Sequence, residues 1–277
     1  MELATLPHWQ HSTFIPLFAI ALNTGFCYTF PMTEAEQQGL ADGRALRFLI
    51  PRRALRGGPG SVAAPRAGEA LAFQDYRDYA PGDDLRNLDW NVLARSDREV
   101  VKVHREEVAP VIEMFRDKSA SMDVPPAKRE TSDYLFGLFT SAATGCRVVE
   151  RDEPRTPRAV RVMISDTLTD LDPERELARL SHFAASVIVI RVLSRSETSP
   201  EVGGSGELVD SETGEKRELA LDDDTISAYL KALAAHTARW RAAARRFNAA
   251  FIDLAAESPR ADIVRELAAA GIMEGRR

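Results

Sequence analysis

The stretch VAPVIEMFRDKSASM, Val108–Met122, decides how the chain is read. Its first half is an apolar run of strand length, broken only by Pro110 and Glu113. Its second half places an acid and two hydroxyls, Asp117, Ser119 and Ser121, at alternate positions. Residues two apart in an extended segment point the same way, so these three oxygen-bearing side chains can converge on one point. Two readings follow. In one, a strand runs into a loop that caps the next helix, because Asp and Ser are favoured capping residues. In the other, the loop offers oxygens to a small hard cation such as Mg²⁺, which takes one or two carboxylates and keeps several waters.

Working outward, strand and helix patterns alternate. Glu99–His104 and Val108–Phe115 read as strands, and Ala127–Ala143 as a helix with Tyr134, Leu135, Leu138 and Phe139 on one face. Cys146–Val149 and Ala159–Ile164 are further strands, the second ending in Ser165-Asp166. A helix at Pro173–Phe183 precedes the apolar run SVIVIRVL, Ser186–Leu193, a buried strand. GELVDSETGEKREL reads as a hairpin turning at Thr213-Gly214, followed by a long helix over Thr225–Asn248, the strand AFIDLA and a helix at Ile263–Ala270. This alternation predicts an α/β fold, a doubly wound and mainly parallel sheet, with an irregular N-terminal segment. The expected division is an arm over residues 1–66, a segment with short strands over 67–107, and the α/β domain over 108–277. Met32–Leu49 reads as one helix ended by Pro51, and residues 57–68, rich in Gly, Ala and Pro, as a loop. No Gly-Lys-Ser/Thr follows that loop, so it is not a phosphate loop.

In doubly wound sheets function gathers where loops leave the carboxyl ends of strands. Here two such loops carry acids, Asp117 with Ser119 and Ser121 on one, and Asp166 after Ser165 on the other. A helix cap needs no second acid elsewhere in the sheet. The pair therefore favours the cation reading.

Composition bounds the alternatives. In 277 residues, 44% hydrophobic and 28% charged, the formal net charge is −6. That is an ordinary globular composition, and the charge argues against a general nucleic-acid binder. The arginines between Arg44 and Arg66 read as a solvated surface. Two cysteines, Cys27 and Cys146, form no zinc or disulfide pattern and fit a reducing compartment. The five histidines do not cluster, and no serine sits in a nucleophile elbow. Residues 13–30 are uncharged and mostly apolar, close to the length of a membrane helix. Pro16, Asn23, Thr24 and Gly25 interrupt them, so the reading is a cytoplasmic protein starting at Met32, with membrane anchoring through residues 13–30 as the alternative and a signal peptide after it.

One further segment, FQDYRDYAPGDDLRNLDWNVLAR followed by VVKVHREE, carries a family likeness. It is similar to the signature of the bacterial family called domain of unknown function fifty-eight, at Tyr76, Arg77, Tyr79, Gly82, Asp83, Asp84, Arg86, Asp89, Trp90 and Arg95, and again at DKSASM and MISD. The resemblance runs from about Ala67 to the end. It implies a von Willebrand factor type A-like domain, in which Asp117, Ser119, Ser121 and Asp166 match the metal-ion-dependent adhesion site, with Mg²⁺ (or Mn²⁺) as the ion. It also implies a protein partner, a MoxR-type AAA+ ATPase, and no catalysis. Relative to that family the middle is short. ERDEPRTP, Glu150–Pro157, runs directly into the next strand, where the family has another strand, further helices and a metal-completing threonine. Alternating acids and arginines in the signature read as a structural lock, with Tyr79 and Trp90 covering the pairs.

Three functions compete on this reading. The first is a metal-assisted, non-catalytic interaction module. The second is a metal-free scaffold with the same fold. The third is a phosphoryl-transfer enzyme with Asp117 as nucleophile and Arg116 and Lys118 as the phosphate clamp.

Overall fold

The structure, a computed structural model, describes residues 32–50, 71–106, 109–168, 171–201, 204–209, 211 and 214–276. The apolar run 13–30, the start at Met32 as opposed to Met1, and the loop 57–68 thus lie wholly or partly outside the described residues. In chain order the elements are α1 (Glu34–Gly43), β1 (Leu46–Phe48), β2 (Leu71–Asp78), α2 (Trp90–Ser96), β3 (Val100–Glu106) and β4 (Val111–Arg116). They continue with α3 (Pro126–Ala142), β5 (Arg147–Glu150), β6 (Val160–Ser165), α4 (Pro173–Ser181), β7 (Ser186–Leu193) and α5 (Arg195–Thr198). The last are β8 (Gly204–Val209), β9 (Lys216–Leu221), α6 (Asp223–Arg246), β10 (Ala250–Ala255), α7 (Arg260–Ala269) and β11 (Met273–Gly275).

Five strands form one sheet in the order β10-β7-β6-β4-β5, every pair parallel. This is the doubly wound α/β fold expected from the alternation. β6 and β7 are almost wholly buried because helices cover both faces, which is why they read as continuous apolar runs. On one face Ile112, Met114, Val162, Ile164, Ile188 and Ile190 meet Tyr134, Leu135, Leu138 and Phe139 of α3 and Ile263 and Leu267 of α7. On the other, Phe115, Met163, Val187 and Val189 meet Leu177 and Leu180 of α4 and Trp240, Ala243 and Ala244 of α6. The apolar face expected on α3 is fully buried. β5 and β6 are joined by residues 151–159 alone, the short middle seen in the sequence.

Residues 32–50 differ from expectation. The single helix to Leu49 ends at Gly43, and Leu46–Phe48 instead pairs antiparallel with β11. Within the 1–66 segment, α1 packs along α3. The reason is two glycines. A Cβ at Gly39 would stand 2.1 Å from the Tyr134 carbonyl, and one at Gly137 would stand 2.1 Å from that of Glu36. Only bare backbone allows the helices to approach this closely.

The signature segment forms the antiparallel pair β2–β3, with a bulge between Phe73 and Asp75. Short strands are expected over 67–107, but of the pair the sequence places only β3, at Glu99–His104. Arg77 makes two hydrogen bonds to Asp83 (2.7 and 2.8 Å), which also accepts from Ala80 N–H. Asp84 caps the 3-10 turn Leu85–Asn87, and the buried Asp89 caps α2. Gly82, at φ 107°, supplies the left-handed turn between Arg77 and Asp83. The covering role expected of Trp90 is not seen, since its side chain is 62% exposed. Arg86 and Arg95 are exposed too, and Tyr79 is half-buried.

Candidate functional site

The register of the sheet places the two acid-bearing loops side by side. β4 and β6 are parallel with Arg116 opposite Ile164, and Asp117 N–H donates to the Ile164 carbonyl at 2.9 Å. Both strands therefore end at the same level, and residues 48 positions apart emerge as neighbours. Ser165 Oγ donates to Asp117 Oδ2 at 2.6 Å, and Ser121 Oγ donates to Asp166 Oδ2 at 2.7 Å. Each loop's acid thus takes a hydroxyl from the other loop. Ser119 Oγ lies 3.0 Å from Ser121 Oγ, while Ser119 N–H donates to Asp117 Oδ1 at 2.9 Å.

The capping alternative can now be judged. Ser119 stands at the start of the 3-10 turn Ala120–Asp123, yet its side chain makes no capping bond, and α3 starts from Pro125 without one. The hydroxyls serve the ring between the two loops. Asp117, Ser119, Ser121 and Asp166 are all brought together.

The chain after Asp166 bends sharply. Thr167 has φ 59°, a left-handed backbone that a β-branched residue adopts at a cost of about 1–3 kcal/mol. The bend lets Thr167 N–H donate to Ser165 Oγ and Leu168 N–H to Asp166 Oδ1, both at 2.9 Å. Thr167 is buried with its hydroxyl unpartnered, and its carbonyl lies 2.7 Å from His236 Nε2 on α6.

Three charged residues that sequence reasoning did not single out complete the site. Lys128, in the first turn of α3, is fully buried, and its Nζ donates to Asp166 Oδ2 and to Glu197 Oε1, each at 2.7 Å. Glu197 is fixed in turn by a capping box with Ser194 at the end of β7. Arg129 reaches back over the loop, donating to the Asp117 carbonyl (2.7 Å), the Ser119 carbonyl (3.2 Å) and Asp123 (2.7 Å). The Ser194-x-x-Glu197 spacing is a capping-box signal open to a sequence reader. Nothing marks Lys128, which looks like any solvated lysine at a helix start.

Electrostatics follow from these contacts. Burial pushes the Asp166 carboxyl up, but hydrogen bonds from Lys128, Leu168 N–H and Ser121 outweigh it and hold the group below its ordinary value. Arg116 and Lys118 point elsewhere. Arg116 bonds Asp133 and Glu150, and Lys118 lies 3.4 Å from Glu150 and 3.5 Å from Asp152. Neither is placed to clamp a phosphate beside Asp117.

The donor set of carboxylates and hydroxyls is that of a hard-cation site. The position against Asp166 is nevertheless taken by an ammonium. A Mg²⁺ or Mn²⁺ ion there would meet a fixed positive charge at close range, so the residues as arranged do not fit one. Among the described residues no three His, Cys, Asp or Glu side chains form a metal-holding group. Thr144, which accepts from Arg276, precedes β5 and Thr156 precedes β6, so both lie ahead of their strands whereas the site follows β4 and β6. Among the described residues no helix is long and apolar enough to cross a membrane.

A family model described as "Protein of unknown function DUF58" matches residues 75–143 and 140–239, together more than half of the chain. The two matched stretches meet at the end of α3, just ahead of the short β5–β6 connection. No curated protein and no solved structure matches the chain. With its signature, its two strand-end loops and most of its parallel sheet inside the matched residues, the chain belongs to the DUF58 family.

Proposed function

We propose that the protein is a non-catalytic interaction module of the von Willebrand factor type A kind, which docks on a protein partner through the loops after β4 and β6. The partner implied by the family likeness is a MoxR-type AAA+ ATPase, met in the cytoplasm. The observation that carries this reading is the rim of the ring. Val124 on the first loop and Leu168 and Leu171 on the second are 62, 40 and 48% exposed. Large apolar side chains on two loops that hydrogen bonds fuse into one rigid unit are what a docking surface needs. Catalysis has less support, because Arg116 and Lys118 lie against Asp133, Glu150 and Asp152, Arg129 is held by the loop carbonyls and Asp123, and a phosphoryl transfer needs such cations on the substrate.

The test is a binding titration of the purified full chain against a purified MoxR-type ATPase, with wild type and a Val124→Asp/Leu168→Asp variant. The reading expects saturable binding by wild type and at least a tenfold loss in the variant. Equal affinity for both, or no binding by wild type, contradicts it.

A further inference from the structure

We infer that Lys128 is the resident cation of this site, an internal ammonium doing the structural work that a divalent ion does where such loops hold a metal. The inference stands on Asp166, Glu197 and Lys128 and is independent of whether a partner docks.

The geometry carries it. An ammonium with no exposed surface is costly unless its donors are met by acceptors, and here two carboxylates meet it at 2.7 Å. Those acceptors come from different strands. Asp166 follows β6, Glu197 follows β7, and Lys128 itself leads α3 out of the loop after β4. One charge thus ties three adjacent strand ends together. Ser121 joins at the same Asp166 oxygen, Oδ2, that receives Lys128, so the β4 loop is tied to Asp166 twice over. Joining carboxylates from separate loops is a task that a hard metal ion also performs. Lysine performs it with a compact charge on a flexible stem, always present and insensitive to ion concentration.

A consequence concerns recognition. A metal ion can keep an open coordination position for an incoming acid, whereas the Lys128 ammonium is enclosed. A partner's carboxylate therefore gains nothing from this cation, and the rim must supply the contacts.

The test is to remove the ammonium and ask whether the oxygens then take a metal. The full chain and a Lys128→Met variant are titrated with Mn²⁺ by calorimetry and melted with Mn²⁺ or with EDTA. Wild type is expected to give no binding heat and the same melting temperature in both conditions. Lys128→Met is expected to melt lower, to regain several degrees with Mn²⁺ and to bind it at least tenfold more tightly than wild type. If Lys128→Met does not fold, Lys128→Met/Glu197→Gln, with one fewer uncompensated charge, is read in its place by the same criteria. Wild type that binds Mn²⁺ or melts lower in EDTA overturns the inference. So does a folded variant without the ammonium that ignores Mn²⁺.

Discussion

Asp117 and Asp166, 49 positions apart in sequence, each accept a hydroxyl from the other's loop, Ser165 Oγ at 2.6 Å and Ser121 Oγ at 2.7 Å. This reciprocal exchange makes two strand ends into one object. It arises because β4 and β6 are adjacent parallel strands ending in register, and it is held from below by Lys128. The site is therefore a property of sheet topology more than of either loop alone.

Removing Lys128 leaves Asp166 as a buried charge. Breaking a buried pair from one side costs about 3–5 kcal/mol, so Lys128→Met should lower stability by that order in urea unfolding at neutral pH. Lys128→Met/Asp166→Asn should lose less than the sum of the two single variants, which the double-mutant cycle reads directly. Additive losses would show that the two residues do not interact.

Acid should loosen the same contact. The folded-state pKa of Asp166 is depressed, so its contribution to stability is fully present above the ordinary Asp value of ~3.9 and lost as pH falls through the lower folded value. Asp166→Asn should thus lower stability at neutral pH and flatten the decline of stability below about pH 4. The measurement is unfolding free energy against pH for both proteins, and an unchanged acid slope in the variant would remove Asp166 from the account.

The crossing of α1 over α3 should tolerate no methyl group. Gly137→Ala drives a Cβ into the Glu36 carbonyl and Gly39→Ala drives one into that of Tyr134. Overpacking typically costs about 1–3 kcal/mol, and a clash with backbone belongs at the upper end or above it. Each variant should melt several degrees lower than wild type. A neutral Gly137→Ala would mean that α1 is not seated as described.

Trp90 should behave oppositely. With most of its surface in water, Trp90→Ala should change stability by no more than about 0.5 kcal/mol. A loss of several kcal/mol would restore the covering role that the sequence suggested for it.

How much of this was legible follows from what each residue answers to. β7 reads from sequence to the residue, because a strand buried on both faces is a plain apolar run, and α3 reads almost as well from its buried stripe. The convergence of Asp117, Ser119, Ser121 and Asp166 was legible because hydroxyls at alternate positions and acids at strand ends are local patterns. β1 was not, since Leu46–Phe48 becomes a strand only by pairing with Met273–Gly275 at the far end of the chain. The close crossing at Gly39 and Gly137 was equally hidden, as was Lys128, whose burial depends on Asp166 and Glu197 arriving from two other strand ends. Trp90 misled because the signature's aromatic residues suggest cover, while the Arg77–Asp83 pair closes without it.

The central claim, that the cation held at these strand ends is the Lys128 ammonium, is tested most directly by a crystal structure of the full chain grown with Mn²⁺ and read in the anomalous difference map. The account predicts no manganese peak among Ser119, Ser121 and Asp166, with the Lys128 ammonium in contact with Asp166 and Glu197. A manganese peak bridging those oxygens, with Lys128 displaced, would contradict it.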